Sequence, residues 1–175
     1  MKLNILSLVT VMILTGATGT AQEKSKKQLQ QEQKVLRQQQ TEAVVNSKTF
    51  DFTARTALPQ GGRSVNLSND PNLVNFRPEI IECYLAYFGR SYGSAAYGGD
   101  SGMKFKGTPE DYSITKGKKN YTVKATVKGS NDTYKLILTV GFEASATLSI
   151  TCNNRSPISY NGVIAAPPNP DEKKK

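Results

Sequence analysis

From Thr49 onward, apolar and polar residues alternate one for one, and no other feature of this 175-residue chain limits its fold as much. Phe50, Phe52 and Ala54 are separated by Asp51 and Thr53. Tyr121, Val123, Ala125 and Val127 are separated by Thr122, Lys124 and Thr126. The pattern returns in Tyr134, Leu136, Leu138 and Val140, in Ala144, Ala146, Leu148, Ile150 and Cys152, and in Ile158, Tyr160, Gly162 and Ile164. Successive side chains of a strand point to opposite faces. Each run therefore offers one face to a core and one to water, which is how antiparallel sheet reads.

Turn formers separate the runs: Pro59-Gln60-Gly61-Gly62, Asn69-Asp70-Pro71-Asn72, Lys116 to Asn120, Gly129 to Asp132, and Asn153 to Pro157. Strand-plus-turn repeats of roughly ten to twelve residues predict an all-β barrel or sandwich. About eight antiparallel strands can share one core over such a length. The last four, Tyr121 to Ala165, read as a meander with short, lipocalin-like turns. Phe76 to Phe88 is apolar on both alternating sets, so it reads as a doubly buried strand or as a short helix starting near Pro78. Its β-branched and aromatic residues favour the strand.

Three segments lie outside the β domain, which spans 48–166. Residues 1–21 have the build of a secretory signal peptide: Lys2, an apolar stretch from Leu3 to Leu14, and the small residues Gly19-Thr20-Ala21. The apolar stretch is shorter than the roughly twenty residues of a membrane span. No cysteine follows it, so the expectation is export to the periplasm, cell envelope or beyond, and not as a lipoprotein. Residues 22–47 read as a charged, Gln-rich helix or linker. Leu29, Leu36 and Val44 share a face there, and the docking part is expected at Leu36 to Val45. Residues 167–175, PPNPDEKKK, have nothing to bury and read as a disordered tail.

Histidine is absent. That removes Ser-His-Asp and Cys-His catalysis and histidine-ligated zinc. Gly99-Asp100-Ser101-Gly102 resembles a protease nucleophile motif, but Ser101 has no standard base to activate it. Two cysteines cannot build a zinc cluster or a CxxC redox pair at this spacing. Cys83 and Cys152 are either a disulfide, which an oxidising compartment permits, or two separate buried thiols. The carboxylate pairs Glu79/Glu82 and Glu110-Asp111 would serve a hydrolase only if opposed across a cleft. No catalytic set, metal site or cofactor motif emerges, and the chain reads as a non-enzyme.

Aromatics and glycines concentrate between Tyr84 and Phe105. Tyr84, Tyr87, Phe88, Arg90, Tyr92 and Tyr97 are the candidate contact residues, interleaved with Gly89, Gly93, Gly98, Gly99 and Gly102. Tyrosine offers an apolar face with a polar tip, and glycine lets backbone approach a partner. The stretch suits either a binding surface or a loop that seals one end of a barrel. GxGxxG and a Gly-Lys-Ser/Thr ending are both missing, so it is no phosphate cradle. The formal charge of +9 in an exported protein suits an anionic glycan or lipid surface, or an envelope protein, and not nucleic acid. A small apolar ligand inside a lipocalin-like barrel is the alternative.

The same stretch resembles a known family. Phe50-Asp51-Phe52, Tyr84-Leu85-Ala86-Tyr87-Phe88-Gly89-Arg90-Ser91-Tyr92, Tyr97-Gly98-Gly99, Gly102-Met103-Lys104-Phe105 and Asn154 to Gly162 carry the likeness. They are similar to exported proteins of gut-type Gram-negative bacteria grouped as domain of unknown function 4251. The resemblance spans about Thr49 to Ala165. It implies a β-barrel-like fold and an exported location, and it carries over no catalytic residue.

Overall fold

The structure, a computed structural model, describes residues 26–67, 71–92 and 102–168. The chain divides into two compact units, Met1–Glu32 and Gln33–Lys175. Of the first, residues 26–32 are described, and they are exposed helix. The signal-peptide segment, Tyr97 and Ser101 lie outside the described residues, as does all of the tail beyond residue 168.

The second unit is the β domain. It holds the expected alternating runs as β1 (Phe50–Pro59), β7 (Asn120–Lys128), β8 (Thr133–Gly141), β9 (Ser145–Thr151) and β10 (Ile158–Ala165). The other strands are β2 (Val65–Asn66), β3 (Leu73–Phe76), β4 (Ile81–Ala86), β5 (Gly102–Gly107) and β6 (Pro109–Lys116). They form one antiparallel sheet in the order β5-β4-β3-β1-β10-β9-β8-β7-β6, with β2 pairing only with β1. β7 to β10 are consecutive neighbours, the meander that the sequence predicts.

A single bent strand brings the ends of this sheet together. β5 and β6 are separated only by Thr108. The first half pairs with β4 and the second with β7, at opposite ends of the strand order. Pro109 opens the second half, where a missing N–H costs no ladder bond. Farther on, Asp111 has a positive φ of 52° at a register shift between Glu110 and Ser113, a bulge that bends the strand. Phe105 of β5 stacks on Tyr134 of β8 at 4.0 Å, so the halves meet through rings as well as backbone. The result is a nearly closed barrel.

The inward positions form one cluster. Phe50, Phe52, Phe76, Tyr121, Val123, Leu136, Leu138, Leu148, Ile150 and Tyr160 are all buried in it. Burying a large apolar side chain contributes about 1.5–3 kcal/mol. Asp51 departs from the alternation: it is buried, and it pairs with Arg77 at 2.8 Å and accepts a 2.8 Å bond from Asn75. The doubtful segment before Phe88 is a strand, β4, yet it is not buried on both faces. Glu82 and Tyr84 point outward, while Ile81, Cys83 and Leu85 point in.

α1 (Lys26–Asn46) precedes the sheet. It docks within the expected stretch Leu36 to Val45, but only from Thr41 onward. Leu29 and Leu36 are exposed, whereas Thr41 and Val45 are buried and Val44 packs against the core. A polar residue can lead the docking because its hydroxyl is placed to donate to the carbonyl of Arg37 (2.8 Å) or of Phe142 (3.0 Å). Lys116 Nζ, 2.7 Å from the Glu42 carboxylate, ties the helix to the end of β6. Among the described residues no helix is long and apolar enough to cross a membrane.

Candidate interaction surface

β4 delivers the aromatic segment to the end of the barrel where β9 runs into β10. Beyond Ala86 the chain leaves the sheet, and its polar groups find partners on the Asn153 to Pro157 loop. Ser156 N–H donates to the Arg90 carbonyl at 2.9 Å, and Arg90 N–H donates to Ser156 Oγ at 3.0 Å. Tyr92 N–H donates to the Asn154 carbonyl at 2.8 Å, and Ser91 bridges Arg155. The two loops thus run as a short antiparallel pair.

Tyr87 sits at the centre of this clamp. Its ring is buried, and its hydroxyl lies 2.8 Å from the Arg90 carbonyl, 3.0 Å from the Ser156 carbonyl and 2.9 Å from Ser156 Oγ. The Arg155 guanidinium lies over the ring, 4.9 Å from its centroid, and donates to the Gly102 carbonyl at 2.6 Å. A cation over an aromatic face adds about 0.5–1 kcal/mol where it is partly exposed. Gly89 passes so close to the Tyr87 hydroxyl and Ser156 Oγ that no side chain fits there. Beneath the clamp, Tyr160 is buried and donates to the Ala86 carbonyl at 2.9 Å, and burial pushes its hydroxyl well above the ordinary tyrosine range. Asn72 Oδ1 accepts from Ala86 N–H at 2.6 Å, ending β4.

A carboxylate holds the neighbouring turn. Asp132 accepts N–H bonds from Thr133 (2.7 Å), Asn153 (3.2 Å) and Asn154 (2.8 Å), and a fourth bond from the Asn153 amide (3.0 Å). Burial alone would raise its pKa, but the backbone N–H groups of Asn154, Asn153 and Thr133 outweigh that and hold it below the usual value. A depressed carboxyl stabilises the fold above its unfolded pKa of about 4, and that stability is lost as pH falls through the folded value. Asp132→Ala is therefore expected to cost about 1 kcal/mol at neutral pH. Melting curves of the variant and the parent should converge as the pH is lowered below about 4.

Domain of unknown function 4251 (DUF4251) matches residues 31–164. The chain belongs to this family. A crystal structure of a DUF4251 family protein from Bacteroides eggerthii DSM 20697, at 1.95 Å resolution, superposes with a TM-score of 0.61. The two are 18% identical, and the match covers 78% of this chain and 91% of the other. At that identity the likeness speaks for the fold. No curated protein matches this chain.

In this DUF4251 domain the six candidate contact residues separate into distinct roles. Tyr87 is structural, consumed by the clamp. Tyr84, Phe88 and Tyr92 stay exposed at 49%, 44% and 51%, with Arg90 exposed between the last two. Tyr97 lies outside the described residues. Ser156, Asn72 and Asp132, which fix the loop, were not among the residues singled out in the sequence. Asn72 and Asp132 are marked only by residence in turns, which is general to turns, and Ser156 also by the Asn154 to Gly162 stretch that carries the family likeness.

The structure holds both cysteines as free thiols, not as the disulfide that export would permit. Cys83 points inward between Val74 and Phe105 and donates its S–H to the Met103 carbonyl at 3.3 Å. Cys152 lies past the end of β9, where burial and then the Asp132 charge raise its pKa. Burial alone pushes the Cys83 thiol far up. Neither is poised as a thiolate nucleophile. The carboxylates considered for hydrolysis are dispersed: Glu110 pairs with Lys128 at 3.1 Å, Glu82 pairs with Lys106, and Asp111 occupies the bulge.

Proposed function

We propose that this DUF4251 protein is an exported, non-enzymatic interaction module that meets a protein partner through the exposed side chains of Tyr84, Phe88, Arg90 and Tyr92. The observation that carries this reading is the contrast between backbone and side chains in 87–92. The backbone is held by Tyr87, Ser156 and Asn154, yet Phe88 and Tyr92 project half exposed from it. Aromatics and arginine are the residues that dominate binding energy at protein interfaces. A loop that is already ordered loses little entropy on binding.

The inward residues join one continuous buried cluster, which favours this reading over a carrier of a small apolar ligand inside the barrel. Export rests on the leader-like sequence of residues 1–21. The decisive experiment is capture of partners from a cell-envelope fraction by the wild-type chain and by Phe88→Ser/Tyr92→Ser. The double variant should retain its melting temperature and bind the captured partner at least tenfold more weakly. Equal capture by both would reject the surface.

A further inference from the structure

At the other end of β9, two charges of opposite sign face one groove. A groove of about 200 Å3 lies between α1 and the β8–β9 turn. Val44, Ala144 and Ile164 give it an apolar floor, and Arg37, Gln40 and Glu143 give it a polar rim. Among the described residues, neither the Arg37 guanidinium nor the Glu143 carboxylate has an ion-pair partner. The groove also borders Thr41, whose hydroxyl has one proton and two carbonyls within reach, so its lone pairs remain able to accept.

The β8–β9 turn shapes the floor of this groove. Ala144 has a φ of 63°, in the left-handed region that glycine or asparagine adopts more readily. It is held there from both sides: its N–H donates to the Gly141 carbonyl, and its own carbonyl accepts from Ile164 N–H. This is the conformation that the last residue of a three-residue hairpin loop adopts, here Phe142-Glu143-Ala144 between β8 and β9. Here it sets the alanine on the floor of the groove, where glycine would offer only backbone.

We propose that this groove binds the zwitterion of a free α-amino acid with a small aliphatic side chain. The carboxylate would meet Arg37, whose planar fork suits it, with Gln40 beside it. The ammonium would meet Glu143 and the Thr41 hydroxyl oxygen. The side chain would cover Val44, Ala144 and Ile164. This inference stands on different residues from the partner surface and does not depend on it.

The test is titration of L-valine into the 15N-labelled chain, followed through the amide signals of Ala144, Ser145 and Ile164. Those signals should move and saturate in the millimolar range. Arg37→Gln and Glu143→Gln should each weaken binding about tenfold, the effect of one charge-assisted hydrogen bond. Unchanged melting curves would show that both variants are folded. N-acetyl-valine amide, which keeps the side chain and loses both charges, should leave the signals in place. Absence of a saturable shift, or equal shifts with the uncharged analogue, would overturn the proposal. Equal binding of the dipeptide Val-Val would overturn the assignment to a free amino acid.

Discussion

Gly162→Ala is expected to destabilise the barrel by about 3 kcal/mol. A Cβ at this position would drive into the Thr53 carbonyl oxygen, and it would lie 2.9 Å from the carbonyl carbon of Thr53 and 3.0 Å from Ala54 Cα. All three are backbone atoms of β1, so no side chain can swing aside. β1 and β10 lie so close because the register shifts here, between Ala54 and Thr56. The added methyl would have to push these central strands of the sheet apart. Urea unfolding measures the effect: the midpoint should fall sharply, while the slope with denaturant should stay the same. A midpoint unchanged within error would mean that the two strands do not approach as described.

Gly89→Ala is expected to cost about 2 kcal/mol by a different route. Its Cβ would meet the Tyr87 hydroxyl, the Tyr87 ring carbon Cζ and Ser156 Oγ, all of them side-chain atoms and not backbone. They can yield only by leaving each other and the Arg90 carbonyl, so the clamp opens. Tyr87→Phe removes the obstructing oxygen and also its hydrogen bonds, at about 1 kcal/mol. The double variant should then lose less than the sum of the two, because the hydrogen bonds that Gly89→Ala breaks are already gone in Tyr87→Phe. Strict additivity, measured by thermal melts of the four proteins, would show that Gly89 is not confined by the tyrosine.

Most of the barrel could be read from the sequence, because burial in a sheet follows a period of two. Val123, Leu136, Leu138, Leu148 and Tyr160 face inward as their alternation requires. What the pattern could not show was closure. β5 and β6, which the alternation did not mark, follow one another with only Thr108 between them and pair with partners at opposite ends of the sheet. The β8–β9 turn also went unmarked, since Ala144 occupies the left-handed position where glycine would have announced it. On α1, apolar spacing put Leu29, Leu36 and Val44 on one face, of which only Val44 packs on the core; Thr41, whose hydroxyl is satisfied locally and across the interface, docks beside it.

The candidate surface was legible in composition but not in its anchoring. The aromatic-glycine stretch marked the right loop, and the period of two that buries Ile81, Cys83 and Leu85 runs on to bury Tyr87 and expose Phe88. What the stretch did not show is what holds it: Ser156 and Asn154, more than sixty residues away along the chain. Long-range partners of this kind leave no periodic trace.

Amide hydrogen exchange of the free protein addresses the central claim most directly, because an ordered contact loop must be ordered before any partner arrives. The amides of Arg90, Tyr92 and Ser156 are expected to exchange slowly, with protection approaching that of neighbouring strand amides in β4 and β10. Exchange at those three positions at the rate of an unstructured peptide, while the strands remain protected, would contradict it.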